Sequence, residues 1–369
     1  MGGWNLIEEG AGAIRVGLVG YGFAGQIFHA PLIQAVRGLS LVAIASSNAG
    51  KVHADLPAVT VHETLGAMIT DDDIDLVIVA TPNETHAPLS RLALQAGKHV
   101  VVDKPFALDL DEARDLLRVA EQANRNLWVF HNRRWDSDYL SVKTAIEAGV
   151  VGSVVHFESK IDRFRPVVRD RWRERAQPGG GIWFDLGPHL IDQTLQLFGL
   201  PDGVMASLAR QRDGARIDDW AHVVLTYGER RVVLQGAMLV AGGSARFIVH
   251  GTGGSLVKLK PDPQESQLLA GMRPGERGWG LDRDALVVYG SEGERSVPAT
   301  PGDQRRFYEL VAAALRGEGA GPVRPIEALA VMAVLEAGAM SARNGVTARL
   351  ALTDAERAAW GGGFSSLAS

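Results

Sequence analysis

A run of branched aliphatic residues, Ile14–Val19, feeds directly into Gly-Tyr-Gly-Phe-Ala-Gly and then into a stretch with helical spacing. Few backbones call for glycine at Gly20, Gly22 and Gly25 in that order. The first permits a tight turn, the second lets the chain approach a pyrophosphate, and the third lets a helix pack closely on its strand. Phe23 and Ala24 lie between the last two glycines, and the helix that follows presents oriented N–H groups to an anion. A glycine-rich turn without a ligand can share this spacing, so the flanking strand and helix decide the reading. A dinucleotide-binding βαβ unit is expected.

The following hundred residues fit that unit. Leu41–Ala45, Leu76–Ala80 and His99–Val102 read as buried parallel strands, with Trp128–His131 as a closing strand. Ala87–Ala96 and Leu110–Ala123 carry apolar residues at helical spacing between them. After Trp135 a helix (Tyr139–Ala148) and a strand (Val154–Ile161) lead through a basic loop to Gly181 and a helix near Leu186–Phe198. Alternating strands follow at Val204–Arg212, Ala221–Tyr227, Arg231–Leu239 and Ala245–His250, an antiparallel signal. Residues 261–301 read as loop with one short strand, Ala285–Tyr289, and helices at Asp303–Arg316 and Pro325–Ala342 end the fold. The fold class is therefore α/β: a Rossmann doubly wound parallel sheet over 13–135, then an α+β domain with a large, mainly antiparallel open sheet over 136–355. The last helices are candidates to return to the first domain, and Gly361–Ser369 reads as a frayed tail.

Composition narrows the function. The net charge is −5 without a basic face, which argues against nucleic acid. With no cysteine there is no disulfide and no thiolate nucleophile or metal ligand, as suits a reducing compartment. No apolar run reads as a membrane span. Met1–Gly12 holds two acids and no base, so it reads as a short extension rather than a secretory signal. A cytoplasmic protein is expected.

Ligands of open α/β sheets lie at the C-terminal ends of the strands. The second strand ends in Ser46-Ser47-Asn48 with Lys51 close behind, and no acid stands there to accept from a ribose 2′-hydroxyl. NADP is thus favoured over NAD, although Ser and Asn also cap helices. The third and fourth strands end in Thr81-Pro82-Asn83, with His86 following, and in Asp103-Lys104-Pro105, which aims both clusters at the nicotinamide half. Lys104 is the first candidate to move a substrate hydroxyl proton, against a surface lysine paired with Asp103. Asp185 and His189 are four residues apart and Asp192 follows three later, so one helix face carries all three. They can orient an imidazole and hold hydroxyls, or be a satisfied histidine beside a capping aspartate. No metal site is assigned, because one histidine without cysteine is a thin ligand set. Asn132 and Arg133 are grouped with the cofactor and Arg134 with the substrate, although the segment also reads as an interdomain hinge with an ion pair. Arg163, Arg165, Arg169, Arg171, Trp172 and Arg173 form a basic loop that either closes over phosphates, through Trp172 and Arg173, or faces solvent. His29 is open between site and core.

Taken together, GYGFAG, TPNETH, VVVDKPF and GGGIWFDLGPHLID, in this order from Ile14 to about Leu352, resemble the Gfo/Idh/MocA oxidoreductases. The family usually carries Glu-Lys-Pro where this chain has Asp103-Lys104-Pro105. Through HNRRWDSDY and the neutral SSN, the likeness is strongest to bacterial NADP-dependent scyllo-inositol dehydrogenase-like members. The resemblance implies Lys104, Asp185 and His189 as catalytic residues, Asp192 as a substrate contact and a homodimer through the second sheet. It implies hydride transfer between NAD(P) and a secondary alcohol of a polyol, inositol or sugar. A glycoside hydrolase using transient oxidation and a non-catalytic nucleotide sensor are the competing readings; a sensor would not be expected to keep Lys104 and His189.

Overall fold

A computed structural model describes residues 12–70, 73–170 and 172–361, which form two units. The Met1–Gly12 extension lies almost entirely outside the described residues, as do Arg171 and nearly all of the Gly361–Ser369 tail. The first unit runs to Asn132 and also takes in Gln264–Trp279 and Asp303–Pro325; the second holds the remainder.

In the first unit, β1 (Ile14–Val19), α1 (Ala30–Gln34), β2 (Leu39–Ala45), α2 (Ala49–Asp55), β3 (Thr60–His62), α3 (Leu65–Ile69), β4 (Leu76–Val79), α4 (His86–Gln95), β5 (His99–Val102), α5 (Leu110–Gln122) and β6 (Leu127–Val129) alternate along the chain. The six strands pair in parallel in the order β3-β2-β1-β4-β5-β6. This is the doubly wound Rossmann order, whose ligand crevice opens where the winding reverses beside β1. All four residues of β4 are fully buried, which explains an unbroken aliphatic run in place of alternation. The edge strand β3 has three residues, too few for a period to show in the sequence.

The second unit contains α6 (Ser137–Glu147), β7 (Val154–Asp162), α7 (Ile182–Phe198), β8 (Gly203–Ala209), β9 (Trp220–Tyr227), β10 (Arg230–Ala237), β11 (Phe247–Gly251) and β12 (Gly254–Lys258). After α8 (Gln264–Leu269), which belongs to the first unit, come β13 (Leu286–Gly290) and β14 (Gly293–Val297). Helix α9 (Arg305–Leu315) is again in the first unit, and α10 (Pro325–Asn344) and α11 (Asp354–Gly361) follow. The sheet runs β14-β13-β12-β11-β7-β10-β9-β8, antiparallel throughout except for the parallel β7–β10 pair. Residues 261–301 thus carry a helix and two strands where loop with one strand was expected. Glycine-turn hairpins of five-residue strands hide the alternation there.

Side chains of this sheet separate by strand parity. Val223, Leu225, Val232 and Leu234 are fully buried. Gly236 on the same strand as Val232 faces Ile182 and Leu186 of α7, where a Cβ would sit 3.4 Å from each. On the other face the register aligns Met205, Val224, Val233, Glu158, Ile248, Val257 and Val287 in one row across seven strands.

One helix departs from the membrane expectation. α10 is long and apolar enough to span a bilayer by length and composition, with mean hydropathy 1.4, but 67% of that window is buried inside the protein. Its Gly338 and Leu335 explain the burial: the Trp183 indole donates to the Leu335 carbonyl at 2.9 Å and lies against Gly338. The apolar surface is turned to protein.

Candidate active site

The glycine turn after β1 has the shape its sequence demands. Gly20 has φ +94°, and a Cβ there would lie 2.4 Å from the Ala80 carbonyl oxygen. A Cβ on Gly25 would lie 2.1 Å from the Gly20 oxygen, so that glycine brings helix and turn together. At Gly22 a Cβ would meet nothing within 4 Å. The two outer glycines are required by the protein's own packing, while the middle one leaves backbone open toward the space a pyrophosphate needs. Phe23 is exposed, and Gln26 begins the helical ladder by donating to the Gly22 carbonyl at 2.9 Å. This turn fits a dinucleotide.

Beside it, the end of β2 is neutral, as read. Asn48 caps α2, its Oδ1 accepting from the Lys51 amide at 2.9 Å, and its own amide donates to Ser46 Oγ at 3.2 Å. The Lys51 ammonium donates to the Tyr21 carbonyl at 2.9 Å, which brings its charge to the glycine turn itself. The nearest acid in this network, Asp55, accepts from Tyr21 Oη at 3.1 Å and Gln26 Nε2 at 2.8 Å. Burial, and then the Asp55 charge, push the Tyr21 hydroxyl above its ordinary pKa, so it remains a donor. If Lys51 reads a 2′-phosphate, Lys51→Ala should weaken NADP about five-fold, about 1 kcal/mol for an exposed charge, and leave NAD within two-fold. Paired titrations of the two dinucleotides measure this, and equal losses would refute the role.

At the ends of β4 and β5 the structure brings Thr81, His86, Asp103 and Lys104 into one group. Asp103 is buried, and its Oδ1 accepts from the Lys104 amide at 2.8 Å. Lys104 is half-buried between two buried residues, Asp103 and Pro105. Thr85 Oγ1 donates to Thr81 Oγ1 at 2.7 Å, shaping the turn that holds the buried Asn83. His86 turns inward: Nδ1 meets the Pro105 carbonyl at 2.8 Å and Nε2 the Thr81 carbonyl at 2.9 Å. His29 belongs to the core. Its Nδ1 lies 2.6 Å from Tyr308 Oη against Phe130, and burial pushes its pKa down to about 4, so the ring is neutral at pH 7. The Asn132 amide donates to Gln304 Oε1 at 3.0 Å.

The second unit carries the other candidates on α7. Glycine is needed at Gly181, where φ is +90° and a Cβ would lie 2.2 Å from Asp218 Oδ1. Asp218 caps the helix, accepting from the Trp183 amide at 2.9 Å. The helix therefore starts at Ile182, four residues before the sequence suggests, and Asp185 is released from capping. A Cβ on Gly187 would lie 2.9 Å from the Trp183 ring and 3.0 Å from Leu335, too close for a side chain, and Pro188 is next in the helix. Asp185, His189 and Asp192 then follow on one face of α7; the last two are buried.

Their partners differ. Asp185 Oδ1 is 3.3 Å from Arg173 Nε, and that guanidinium lies over the Trp172 ring at 4.3 Å. The basic loop is thus tied to the start of α7; Asp170 pairs with Arg175, and Glu174 accepts from the Arg169 amide and pairs with Arg212 at 3.1 Å. Asp192 accepts from Arg134 through both oxygens, at 2.6 Å from Nη2 and 2.9 Å from Nε, so a substrate hydroxyl would have to share them. Arg134 Nη1 also donates to Glu327 at 2.9 Å. Arg133 pairs with Asp136 at 3.0 Å, and its carbonyl accepts from Gln193 at 2.7 Å. Two residues of this group escaped the sequence reading. Glu327 is on α10, 193 positions from Arg134. The Tyr139 hydroxyl is buried without a hydrogen-bond partner. Burial, with Asp192 next in effect, keeps it protonated.

Both halves of the chain match models of one family. Residues 14–131 match the model of an oxidoreductase family with an NAD-binding Rossmann fold, and residues 143–350 match that family's C-terminal alpha/beta domain. Escherichia coli YdgJ, an uncharacterized oxidoreductase, is 50% identical over 92% of this chain and 99% of its own length. IolW of Bacillus subtilis, a scyllo-inositol 2-dehydrogenase (NADP(+)), is 35% identical over 90% of this chain and 94% of its own. The crystal structure of an oxidoreductase from Klebsiella pneumoniae superposes with a TM-score of 0.90 at 55% identity, covering 96% of this chain and 99% of that one. With the glycine turn, the strand-end lysine and the α7 face all in a chain matched nearly end to end, the protein belongs to the Gfo/Idh/MocA family of NAD(P)-dependent oxidoreductases.

Proposed function

We propose that the chain oxidises a secondary alcohol of an inositol, polyol or sugar, scyllo-inositol-like substrates first, and prefers NADP. The observation that carries the reading is Lys104, half-buried at the end of β5 with its backbone fixed by Asp103, on the unit that holds the open Gly22 turn. Bound nicotinamide dinucleotide supplies the hydride acceptor. Gly20, Gly22 and Gly25 with Phe23 and Ala24 would hold its pyrophosphate, and Ser46, Ser47, Asn48 and Lys51 its adenosine ribose. The nicotinamide half falls to Thr81, Pro82, Asn83 and Asp103, with His86 acting from behind. Lys104 would take the hydroxyl proton. His189 would share or relay it, and Asp185, drawn to Arg173, would orient that imidazole. The relation to IolW favours NADP and a cyclic polyol.

A screen of NADP reduction against inositol isomers and aldoses tests the reading. Turnover with at least one cyclic polyol, lost by at least ~10²-fold in His189→Ala with NADP affinity unchanged, is the expected outcome. No reduction of either dinucleotide by any member of the panel would overturn it.

The reading includes a homodimer, paired through the outward face of the eight-stranded sheet and acting in the cytoplasm. The aliphatic row there is interrupted only by Glu158, and Met205 is 52% exposed. Val224→Glu, in the middle of the row, should give the monomer mass in sedimentation; an unchanged mass would place self-association elsewhere, and a parent protein already sedimenting as monomer would remove it.

A further inference from the structure

The His86 ring faces no open space. It is 1% exposed, and both nitrogens approach main-chain carbonyls, Pro105 O at 2.8 Å and Thr81 O at 2.9 Å. Those carbonyls belong to two different strand-end loops. Thr81 follows β4 and lies under the glycine turn, where a Cβ on Gly20 would be 3.1 Å from Thr81 Cγ2. Pro105 directly follows Lys104, whose amide is held on its other side by Asp103 at 2.8 Å. The imidazole therefore spans from the loop beneath the dinucleotide turn to the peptide that carries the lysine. Burial lowers the His86 pKa and favours the neutral ring, which donates its one N–H to one of these carbonyls and packs its other nitrogen against the second, so losing the ring removes both a donor and the spacer between the two loops.

We propose that His86 is a positioning residue: by bridging Thr81 O and Pro105 O it fixes where Lys104 stands relative to the glycine turn. This deepens the dehydrogenase reading and rests on it for the rate measurements alone. A general base must stand within hydrogen-bond reach of its proton, and errors near 1 Å reduce rates strongly. The bridge accounts for a histidine placed here although its ring is turned away from solvent. A carboxamide can donate through two N–H groups, so glutamine is the conservative replacement.

The test compares His86→Ala and His86→Gln with the parent enzyme, as full-length protein. His86→Ala should lower kcat at least about ten-fold while the Michaelis constant for the alcohol and the dissociation constant for NADP stay within about three-fold. His86→Gln should recover at least half of the loss on a logarithmic scale. Loss of NADP affinity with unchanged kcat would make His86 a cofactor contact and overturn the proposal. A kcat within two-fold of the parent would overturn it also. A second readout is independent of turnover: reductive methylation of Lys104, followed by mass spectrometry and normalised to Lys143. The proposal expects the Lys104 rate to change at least two-fold in His86→Ala and to return toward the parent in His86→Gln. An unchanged rate in both variants, at equal melting temperature, would show that the bridge does not place the lysine. Should His86→Ala fail to fold, His86→Leu, which fills the space but donates nothing, takes its place in the same methylation and kinetic measurements, and parent-like values in it would count against the bridge. An enzyme inactive with every alcohol would defeat the dehydrogenase reading and leave the methylation arm intact.

Discussion

Lys104→Ala is expected to reduce turnover at least ~10²-fold while NADP affinity stays within a few fold, the scale of removing a general acid–base group. Lys104 lies two residues past β5, so it leaves the C-terminal end of an interior strand whose Val100–Val102 are fully buried. Its backbone is held by Asp103 before it and by the Pro105 carbonyl's partner after it. Cofactor affinity should survive because the pyrophosphate turn is built from Gly20, Gly22 and Gly25, whose geometry depends on packing against Ala80 and on one another. Lys104→Arg is the sharper variant. It keeps a positive charge but cannot surrender a proton at working pH, so a base role requires it to be nearly as impaired as the alanine variant. If Lys104→Arg retained more than about a tenth of the parent turnover, the lysine would act through its charge alone. Steady-state kinetics beside dinucleotide titration separates these outcomes.

The parts of the site that could be read from the sequence are those whose geometry is local. Gly20, Gly22 and Gly25 are close in sequence and in space; packing excludes a side chain at the first and third, and Gly22 leaves open the space a pyrophosphate would need. Asp185, His189 and Asp192 declare their common face through helical spacing alone. The strands of the first sheet are legible because burial on both faces leaves unbroken aliphatic runs, as at Leu76–Val79. What escaped is what main-chain acceptors and distant residues supply. Nothing in TPNETH says that the His86 ring will find the carbonyls of Thr81 and Pro105, because every residue has a carbonyl. Asp218 caps α7 from 36 positions beyond Ile182, which is why local sequence alone starts that helix late. The apolar length of α10 likewise has two readings until Trp183 is seen against it.

Replacing Arg134 by methionine should be the most destabilising of the changes considered, costing about 3–5 kcal/mol, the usual result of breaking a buried ion pair by removing one partner. Side-chain exposures are 10% for Arg134, 3% for Asp192 and 8% for Glu327, so water does little to screen the three charges. Burial alone would lower the arginine pKa, but Asp192, and after it Glu327, raise it, so the guanidinium is charged at every working pH. Without it, two carboxylates would share a buried pocket with the unpartnered Tyr139 hydroxyl, which can compensate only one of them. The loss should appear as a lower denaturant midpoint with catalysis impaired as well, since Asp192 lies one helical turn from His189. Stability alone does not distinguish a structural ion triad from residues kept for substrate, and replacing the whole triad does. Arg134→Met combined with Asp192→Leu and Glu327→Leu removes every buried charge together and should recover most of the lost stability. Turnover should not return with it if Asp192 also meets the substrate; recovery of both stability and activity would confine the triad to the fold.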